Sequence, residues 1–500
     1  MATLTPTEVR QRYAEYVYET ETEGRLLKAG LKATSQFNEI VTRYADLFTR
    51  EQISQLEEAA KQVSGDRREA LERLTLCIRN DYLYKKLAAE QDQLYSGYLQ
   101  ATATVGGKKY AYYDITSQQV ANRDYAARER FGRAAASIEK RYEPQERRLH
   151  LAGLKQLRED FGVTDYVSYA EGVKRFKLKP FLKVMKDVQA RLKPMYRSSF
   201  EKRSLATFDK PLDTCLFVHA VYLIKLPEYK SLFPKSKLAQ AATQSFESLG
   251  FAVNDLPQIH VDTVSRPKKH PRAYCFVPNP PEEVHLLTKP TGGADDYREF
   301  LHEWGHCLHH ALEDGSLPLE FRVLSRSHAL TEIYSYWSEH LLYEPAWLEW
   351  ALGIKGDKAV EVAQAARMVN LFLLLRYIAK LDFELEFYQD PSNIKKGREL
   401  YEQKLTEATG FRYPGERFLI DFDAGFYSAD YLRAWVTHAQ LRAYLKKTYG
   451  PLWFRNKKAG TFMRELWSRG TKPENEDIAR LIGATPHDTT PLVEFYQELA

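Results

Sequence analysis

The N-terminal part of the sequence contains no proline between Pro6 and Pro144. Ala, Leu, Glu, Gln, Arg and Lys are abundant here, and apolar residues recur three and four positions apart. This spacing predicts amphipathic helices, because it gathers the apolar side chains on one face. We expect helices over 51–63, 67–87 and 120–142, with Gly106-Gly107 as a break between the last two.

Prolines concentrate later in the chain, where six of the 22 fall between Ser265 and Gly293. Short runs rich in β-favouring residues surround them, at 259–263, 273–277 and 284–288. These runs predict a small sheet over about 259–288, which is the only β region that we expect. The segments before and after it return to helical spacing, so the predicted fold class is mainly α with one small inserted sheet.

Length and composition narrow the classes of protein that this chain can be. It has 500 residues, 44% of them hydrophobic and 28% charged, which is typical of globular proteins of about three domain-sized units. The net charge is only +5, from 72 basic and 67 acidic residues that are mostly interleaved. A nucleic-acid-binding protein more often has a basic stripe, so we expect no nucleic-acid partner.

The chain shows no feature that would direct it to a membrane or an oxidising compartment. The first thirty residues have no apolar core of a signal peptide, and the apolar run Leu371–Leu375 is too short to span a bilayer. The four cysteines include no CxxC pair, so neither a disulfide framework nor a cysteine-based metal site is expected. We therefore predict a cytoplasmic protein without a membrane partner.

One motif carries recognisable chemistry. His302-Glu303-x-x-His306 lies in a predicted helix over about 297–313, for which Asp296 with Glu299 forms a possible capping box and Gly315 a possible stop. Two imidazoles one turn apart can bind the same Zn²⁺, and the intervening Glu303 can take a proton from water. About 0.02 chance matches to this motif are expected in a chain with this histidine content.

A catalytic zinc ion usually has three protein ligands, so the motif requires a third. The segment from Ser327 to His340 predicts a second amphipathic helix, whose polar face carries Glu332 and Glu339. We assign Glu332 as the third ligand and Glu339 as a carboxylate that orients a ligand histidine. Histidine and carboxylate ligands also accept Mn²⁺ or Co²⁺, so the metal itself is left open.

A tyrosine-rich segment near the C-terminus is a candidate for binding substrate. Tyr427 and Tyr431 are four residues apart and share one face of a predicted helix, with His438 further along it. A phenol or an imidazole there could hydrogen-bond the oxyanion of a tetrahedral intermediate. The alternative is that these are ordinary packed aromatic residues.

These motifs together resemble the thimet oligopeptidase and oligopeptidase F family of zinc metallopeptidases. The resemblance rests on Arg272-Ala-Tyr-Cys275, Leu301-His-Glu-Trp-Gly-His-Cys-Leu-His309, Thr331-Glu-Ile-Tyr-Ser335, Glu339 and Gly425-Phe-Tyr-Ser-Ala-Asp-Tyr431. It is strongest over residues 265–440. The family commonly has a histidine before the tyrosine-rich element, but residues 417–421 of this chain contain no histidine.

The resemblance implies a two-lobed helical clamshell with a deep central channel, made of an N-terminal helical lobe (1–255) and a catalytic lobe (256–500). It implies one Zn²⁺ per chain, bound by His302, His306 and Glu332, with Glu303 as the general base. The implied activity is that of an endopeptidase, an oligopeptidase that hydrolyses short peptides.

Two other functions remain open. A chain of 500 residues is short for this family, which favours a metallocarboxypeptidase of similar helical fold as an alternative. Such an enzyme needs a cation for the substrate carboxylate, and the candidates are Arg298, Arg322, Arg326 and Arg433. The second alternative is a helical scaffold that binds peptides without cleaving them. In the peptidase readings, strand 273–277 or strand 284–288 could offer a free edge to the peptide backbone.

Overall fold

The structure is a computed structural model that describes residues 4–498. Helices make up most of the chain. Those that precede the inserted sheet are α1 (Pro6–Lys28), α2 (Phe37–Arg43), α3 (Arg50–Lys61), α4 (Gly65–Lys85), α5 (Ala88–Gln100), α6 (Tyr112–Ala121), α7 (Tyr125–Phe161), α8 (Tyr166–Lys174), α9 (Leu178–Phe208), α10 (Phe217–Leu223) and α11 (Leu238–Ser248).

The chain is again helical after the sheet. These helices are α12 (Ala294–Ala311), α13 (Leu319–Arg322), α14 (Ala329–Glu339), α15 (Pro345–Trp347), α16 (Asp357–Phe387), α17 (Ile394–Thr409), α18 (Tyr427–Tyr449), α19 (Lys457–Trp467), α20 (Asn475–Leu481) and α21 (Thr490–Gln497). The strands are β1 (Thr102–Val105), β2 (Lys108–Ala111), β3 (Ile259–Asp262), β4 (Tyr274–Asn279) and β5 (Glu283–Leu287). The predicted mainly α fold class is confirmed.

Two predictions in the N-terminal part are wrong. The helix expected over 120–142 is divided, because α6 ends at Ala121 and the Asp124 side chain caps the start of α7 by accepting from the Ala127 amide. The inserted sheet is not the only β region, since β1 and β2 form an antiparallel hairpin. Gly106 and Gly107 form its turn with φ of 57° and 80°, a left-handed conformation that glycine adopts at low cost.

The inserted sheet has the strand order β3-β5-β4. Strand β5 pairs with β3 in parallel and with β4 in antiparallel, so it is central. The prediction that residues 284–288 could offer a free edge is therefore wrong. Strand β4 is at the edge, as the prediction for 273–277 requires.

The hydrophobic side chains form three clusters. The largest extends from Ala170 to Tyr496 and includes the buried faces of α12, α14, α16 and α18. A second cluster joins α1 to α4 with Leu319 and Leu324, and a third lies under the β1–β2 hairpin. The largest cluster includes side chains on both sides of residue 255, and the boundary expected there stays a prediction.

Helix α16 is long and apolar enough to cross a membrane by length and composition alone. Its most apolar window is 72% buried inside this protein, and Leu371, Leu374 and Leu375 are completely buried. This burial is typical of the central helix of a hydrophobic core.

A cleft of about 2070 Å³ is lined by residues of both the N-terminal and the C-terminal helices. Helices α1, α5, α6 and α7 contribute to its wall, and so do β4, α12, α14, α16 and α18. The cleft agrees with the predicted two-lobed clamshell with a deep central channel.

Helices α12 and α14 approach each other closely at Gly305. A Cβ atom on Gly305 would lie 2.3 Å from the Tyr334 carbonyl oxygen and 2.7 Å from the Ser335 Cα. Both neighbours are backbone atoms, which cannot rotate away. Glycine is therefore required for this spacing of the two helices.

We predict that Gly305→Ala destabilises the protein by about 1–3 kcal/mol, because the two helices must separate to admit the methyl group. The measurement is the midpoint of urea-induced unfolding. Gly153→Ala in α7 is the matched control, since a Cβ there would meet no atom within 4 Å. That control should be neutral or stabilising, because alanine favours a helix over glycine. An unchanged midpoint in Gly305→Ala would contradict the close approach.

Candidate active site

Helix α12 begins at Ala294, three residues before its predicted start. The predicted capping box is wrong, because Asp296 accepts from the backbone amides of Thr291 and Gly292, which precede the helix. Glu299 instead reaches strand β4 and accepts from the Ala273 amide at 3.3 Å. These contacts fix the start of α12 beside the sheet. The helix ends at Ala311, before the predicted stop at Gly315.

The structure brings together His302 and His306 of α12 and Glu332 of α14. The ligating atoms of these three residues all lie within 4.8 Å of one another. The Oε2 atom of Glu332 is 3.3 Å from His302 Nε2 and 3.8 Å from His306 Nε2. The close approach at Gly305, between the two histidines, places Glu332 beside them.

This donor set fits a zinc ion. Ligands at about 2.1 Å in tetrahedral geometry lie about 3.4 Å from one another, close to the distances found here. Burial lowers the pKa of His306 to about 3, which leaves its ring neutral and able to bind a metal. Burial opposes charge on His302 as well, but hydrogen bonds to Glu332 and Glu339 outweigh it and raise the pKa of His302 to about 10. The space between these side chains therefore favours positive charge.

Glu339, which the sequence analysis assigned to orient a ligand histidine, lies within hydrogen-bond distance of His302. Its Oε2 atom lies 2.9 Å from His302 Nδ1, so the Nε2 atom of His302 faces Glu332. The other carboxylate oxygen of Glu339 accepts from the Tyr343 hydroxyl and, at 3.4 Å, from the Asn370 amide. A fully hydrogen-bonded carboxylate of this kind fixes both the orientation and the tautomer of a ligand histidine.

Glu303 lies half-buried on the wall of the cleft, next to the histidines. Burial raises its pKa to about 7, and the carboxylates Glu332 and Glu299 add to the rise. Its position close to the candidate ligands, and a pKa near neutrality, suit a group that takes up and releases a proton.

The tyrosines of the C-terminal element have different surroundings. The Tyr427 hydroxyl donates to Glu332 Oε1 at 2.7 Å, so this tyrosine holds a candidate ligand. Tyr431 lines the cleft, with its ring 4.6 Å from Tyr427 and 4.7 Å from Tyr377. His438 is buried against His340, with ring centroids 4.0 Å apart, and does not line the cleft.

The four arginines considered for a substrate carboxylate already have partners. Arg298 lines the cleft but forms ion pairs with Asp295, Glu299 and Glu339. The other three hold the structure together: Arg322 bonds the Pro280 carbonyl, Arg326 pairs with Glu69 and Glu72, and Arg433 pairs with Glu476.

The sequence analysis did not consider a different arginine, Arg272, as a candidate. Arg272 precedes β4, is exposed, and lines the same cleft as Glu303. Its sequence neighbours gave no indication, because the local motif identified only the start of a strand. Only the folded chain shows that the strand begins inside the cleft.

Sequence comparison with family models and with curated proteins finds no match. Solved structures of similar fold are found. A structure of PZ peptidase A with an inhibitor superimposes with a TM-score of 0.65 at 14% identity, covering 92% of this chain and 83% of that one. A structure described as oligoendopeptidase F from Bacillus anthracis gives 0.62 at 12% identity, covering 92% and 82%. A structure titled BsuCP gives 0.57 at 14%, covering 98% and 99%.

At these sequence identities, the comparisons show a similarity of fold. The chain has the fold of the PZ peptidase and oligoendopeptidase F structures, and these names match the family that its motifs resemble.

We predict that the protein binds one zinc ion through this donor set. Glu332→Ala should abolish binding, because it removes a ligand, and Glu339→Gln should weaken it about 10-fold to 100-fold by loosening His302. Zinc titration monitored by calorimetry measures both effects. Glu407→Gln is the control, since Glu407 is exposed and remote from the cleft. Equal zinc affinity in all three variants would contradict the assignment.

Proposed function

We propose that this protein is a zinc-dependent endopeptidase that hydrolyses short peptides, an oligopeptidase. One observation carries the proposal: His302, His306 and Glu332 converge beside Glu303 on the wall of a large cleft. The similarity of fold to solved peptidase structures supports it. The cytoplasm stays the predicted location.

Zinc held by His302, His306 and Glu332 would acidify water and polarise the scissile carbonyl. Glu303 would take the proton from the attacking water and pass it to the leaving amine, which requires a carboxylate that exchanges protons near neutral pH. Burial in the cleft wall, which raises its pKa, suits Glu303 to this role.

We assign different roles to the two tyrosines. Tyr431 lines the cleft, and its hydroxyl would stabilise the oxyanion that develops on the scissile carbonyl. Tyr427 would act through the metal ligand Glu332, to which it donates its hydrogen bond. The different contacts of the two rings separate these roles, although both residues lie on the same helix.

Strand β4 would bind the peptide backbone. The Val284 and Thr288 amides of β5 donate hydrogen bonds towards β3. Backbone hydrogen-bonding groups alternate in direction along a strand, so those of His285 and Leu287 point towards β4. Tyr274 and Phe276 pair with those residues, which leaves the Cys275 backbone facing away from β5 on the side of Glu303. The Ala273 and Val277 amides on this edge donate to Glu299 and Glu21. An extended peptide that adds to the edge would replace such side-chain bonds with backbone bonds, and its affinity would depend little on sequence.

The cleft would restrict the substrate to short peptides. Its wall includes Tyr13, Tyr95 and Glu129 of the N-terminal helices, as well as Glu303. A folded protein could not place a bond beside Glu303 while these helices cover the approach. A flexible peptide could enter the cleft in an extended conformation.

We predict that Glu303→Gln lowers kcat at least about 100-fold while zinc stays bound, because the amide cannot accept the proton. The measurements are hydrolysis of a mixture of short peptides, followed by mass spectrometry, and the zinc content of the purified variant. Glu407→Gln serves again as the control. Near-normal turnover by Glu303→Gln would exclude the proposed base. Bound zinc without cleavage by the wild type would favour the peptide-binding scaffold.

The assignment of the tyrosines predicts opposite patterns in two phenylalanine variants. Tyr431→Phe should lower kcat about 100-fold, with KM and zinc affinity little changed, since the lost hydrogen bond forms in the transition state. Tyr427→Phe should weaken zinc binding, because Glu332 loses a donor. Steady-state kinetics and zinc titration distinguish the two. The reverse pattern would exchange the roles.

A further inference from the structure

Arg272 is an arginine on the cleft wall whose guanidinium group forms neither a hydrogen bond nor an ion pair with the residues that the structure describes. Among residues 4–498, no side chain or carbonyl accepts a hydrogen bond from its guanidinium group, and no carboxylate lies within 4.0 Å of it. By contrast, Arg298, Arg376 and Arg417, which also line the cleft, all form ion pairs with carboxylates. An exposed, unpaired guanidinium is suited to bidentate binding of a carboxylate from another molecule.

A second cation adds to the positive charge at this position. The Lys28 ammonium lies 5.2 Å from the ring centres of both Tyr95 and Tyr274, which line the cleft. Burial and the charge of Arg272 lower the pKa of Lys28 to about 8, so the two cations lie close enough to repel each other. Of the carboxylates nearby, Glu299 already pairs with Lys225 and Arg298. An anion bound here would relieve the repulsion.

The distance from Arg272 to the candidate catalytic residues follows from the path of β4 along α12. The Ala273 amide donates to Glu299, and the Cys275 amide faces Glu303 one turn later. Arg272 is three residues before Cys275, which is about 10 Å along an extended chain. A peptide that pairs with β4 would therefore extend two or three residues from the scissile bond to reach Arg272.

The charge of Arg272 also determines the direction of the peptide. Antiparallel pairing places the C-terminus of the peptide at the beginning of β4, next to Arg272, whereas parallel pairing would place the N-terminus there. A cation attracts the terminal carboxylate and repels the terminal ammonium group. Antiparallel pairing is therefore the favoured orientation.

We propose that Arg272 binds the C-terminal carboxylate of the substrate and so directs hydrolysis to a peptide bond two or three residues from the C-terminus. This inference rests on the proposed peptidase function, and it adds a residue that determines where the enzyme cuts. The products would be a dipeptide or tripeptide and the shortened peptide.

The experiment compares one hexapeptide with a free C-terminus and the same peptide amidated, both supplied to the zinc-loaded enzyme. For the wild type we expect amidation to lower kcat/KM about 10-fold to 100-fold, the loss typical of a charge-assisted hydrogen bond. Arg272→Gln should cleave the two peptides at similar rates, and Arg272→Lys should retain part of the preference. Mass spectrometry should find a C-terminal dipeptide or tripeptide.

Lys289→Gln is the matched control. Lys289 lines the same cleft, and no carboxylate of residues 4–498 lies within 4.0 Å of its ammonium group. The substitution removes one positive charge from the cleft, as Arg272→Gln does. The preference for the free acid should survive it. Loss of the preference in both variants would indicate a general effect of charge and would overturn the assignment to Arg272.

The outcomes separate this inference from the proposed function. Cleavage that depends on Glu303 but ignores amidation, or single residues released from the C-terminus, would overturn the role of Arg272 and leave the peptidase intact. If neither peptide is cleaved, the proposed function fails, and calorimetric binding of the two hexapeptides tests Arg272 by itself. Tighter binding of the free acid that is lost in Arg272→Gln would support the carboxylate site, and equal binding would overturn it.

Discussion

The contact between α12 and α14 at Gly305 is the constraint on which the candidate active site depends. The absence of a side chain there lets the Tyr334 carbonyl approach the α12 backbone. The same approach brings Glu332 within 3.3 Å of His302 and 3.8 Å of His306. Two helices that pack at an ordinary distance would hold the carboxylate too far from the imidazoles to share a metal ion.

Hydrogen bonds then hold two members of this group, His302 and Glu332. Glu339 holds His302, and Tyr343 and Asn370 hold Glu339 in turn. Glu332 accepts from Tyr427 and Ser335. These hydrogen bonds are needed because burying a carboxylate without partners costs folding free energy. The result is that residues of α14, α16 and α18 together hold His302 and Glu332 in place.

The edge strand β4 connects the candidate metal ligands with the rest of the cleft wall. Strand β4 lies alongside α12, so the backbone at the start of this strand faces Glu299 and then Glu303. Arg272 comes just before the strand. A peptide aligned on this edge would meet the general base and a carboxylate-binding cation in a fixed order. On the proposed mechanism, one strand therefore sets both the position and the direction of the substrate.

The sequence by itself determined the helical class and the inserted sheet, and it named His302, Glu303, His306 and Glu332 as candidate site residues, because periodicity and motif spacing are local properties. It also identified Glu339, which lies on the same helix face as Glu332. It could not decide the central position of β5, which depends on pairing with both β3 and β4. The β1–β2 hairpin and the start of α12 were not predicted either, although contacts between neighbouring residues form both. Only the tertiary structure decided that Tyr427 contacts Glu332 and Tyr431 the cleft, that four candidate arginines are paired, and that Arg272 is not. Charge pairing is a property of residues far apart in the chain, and packing alone brings them together.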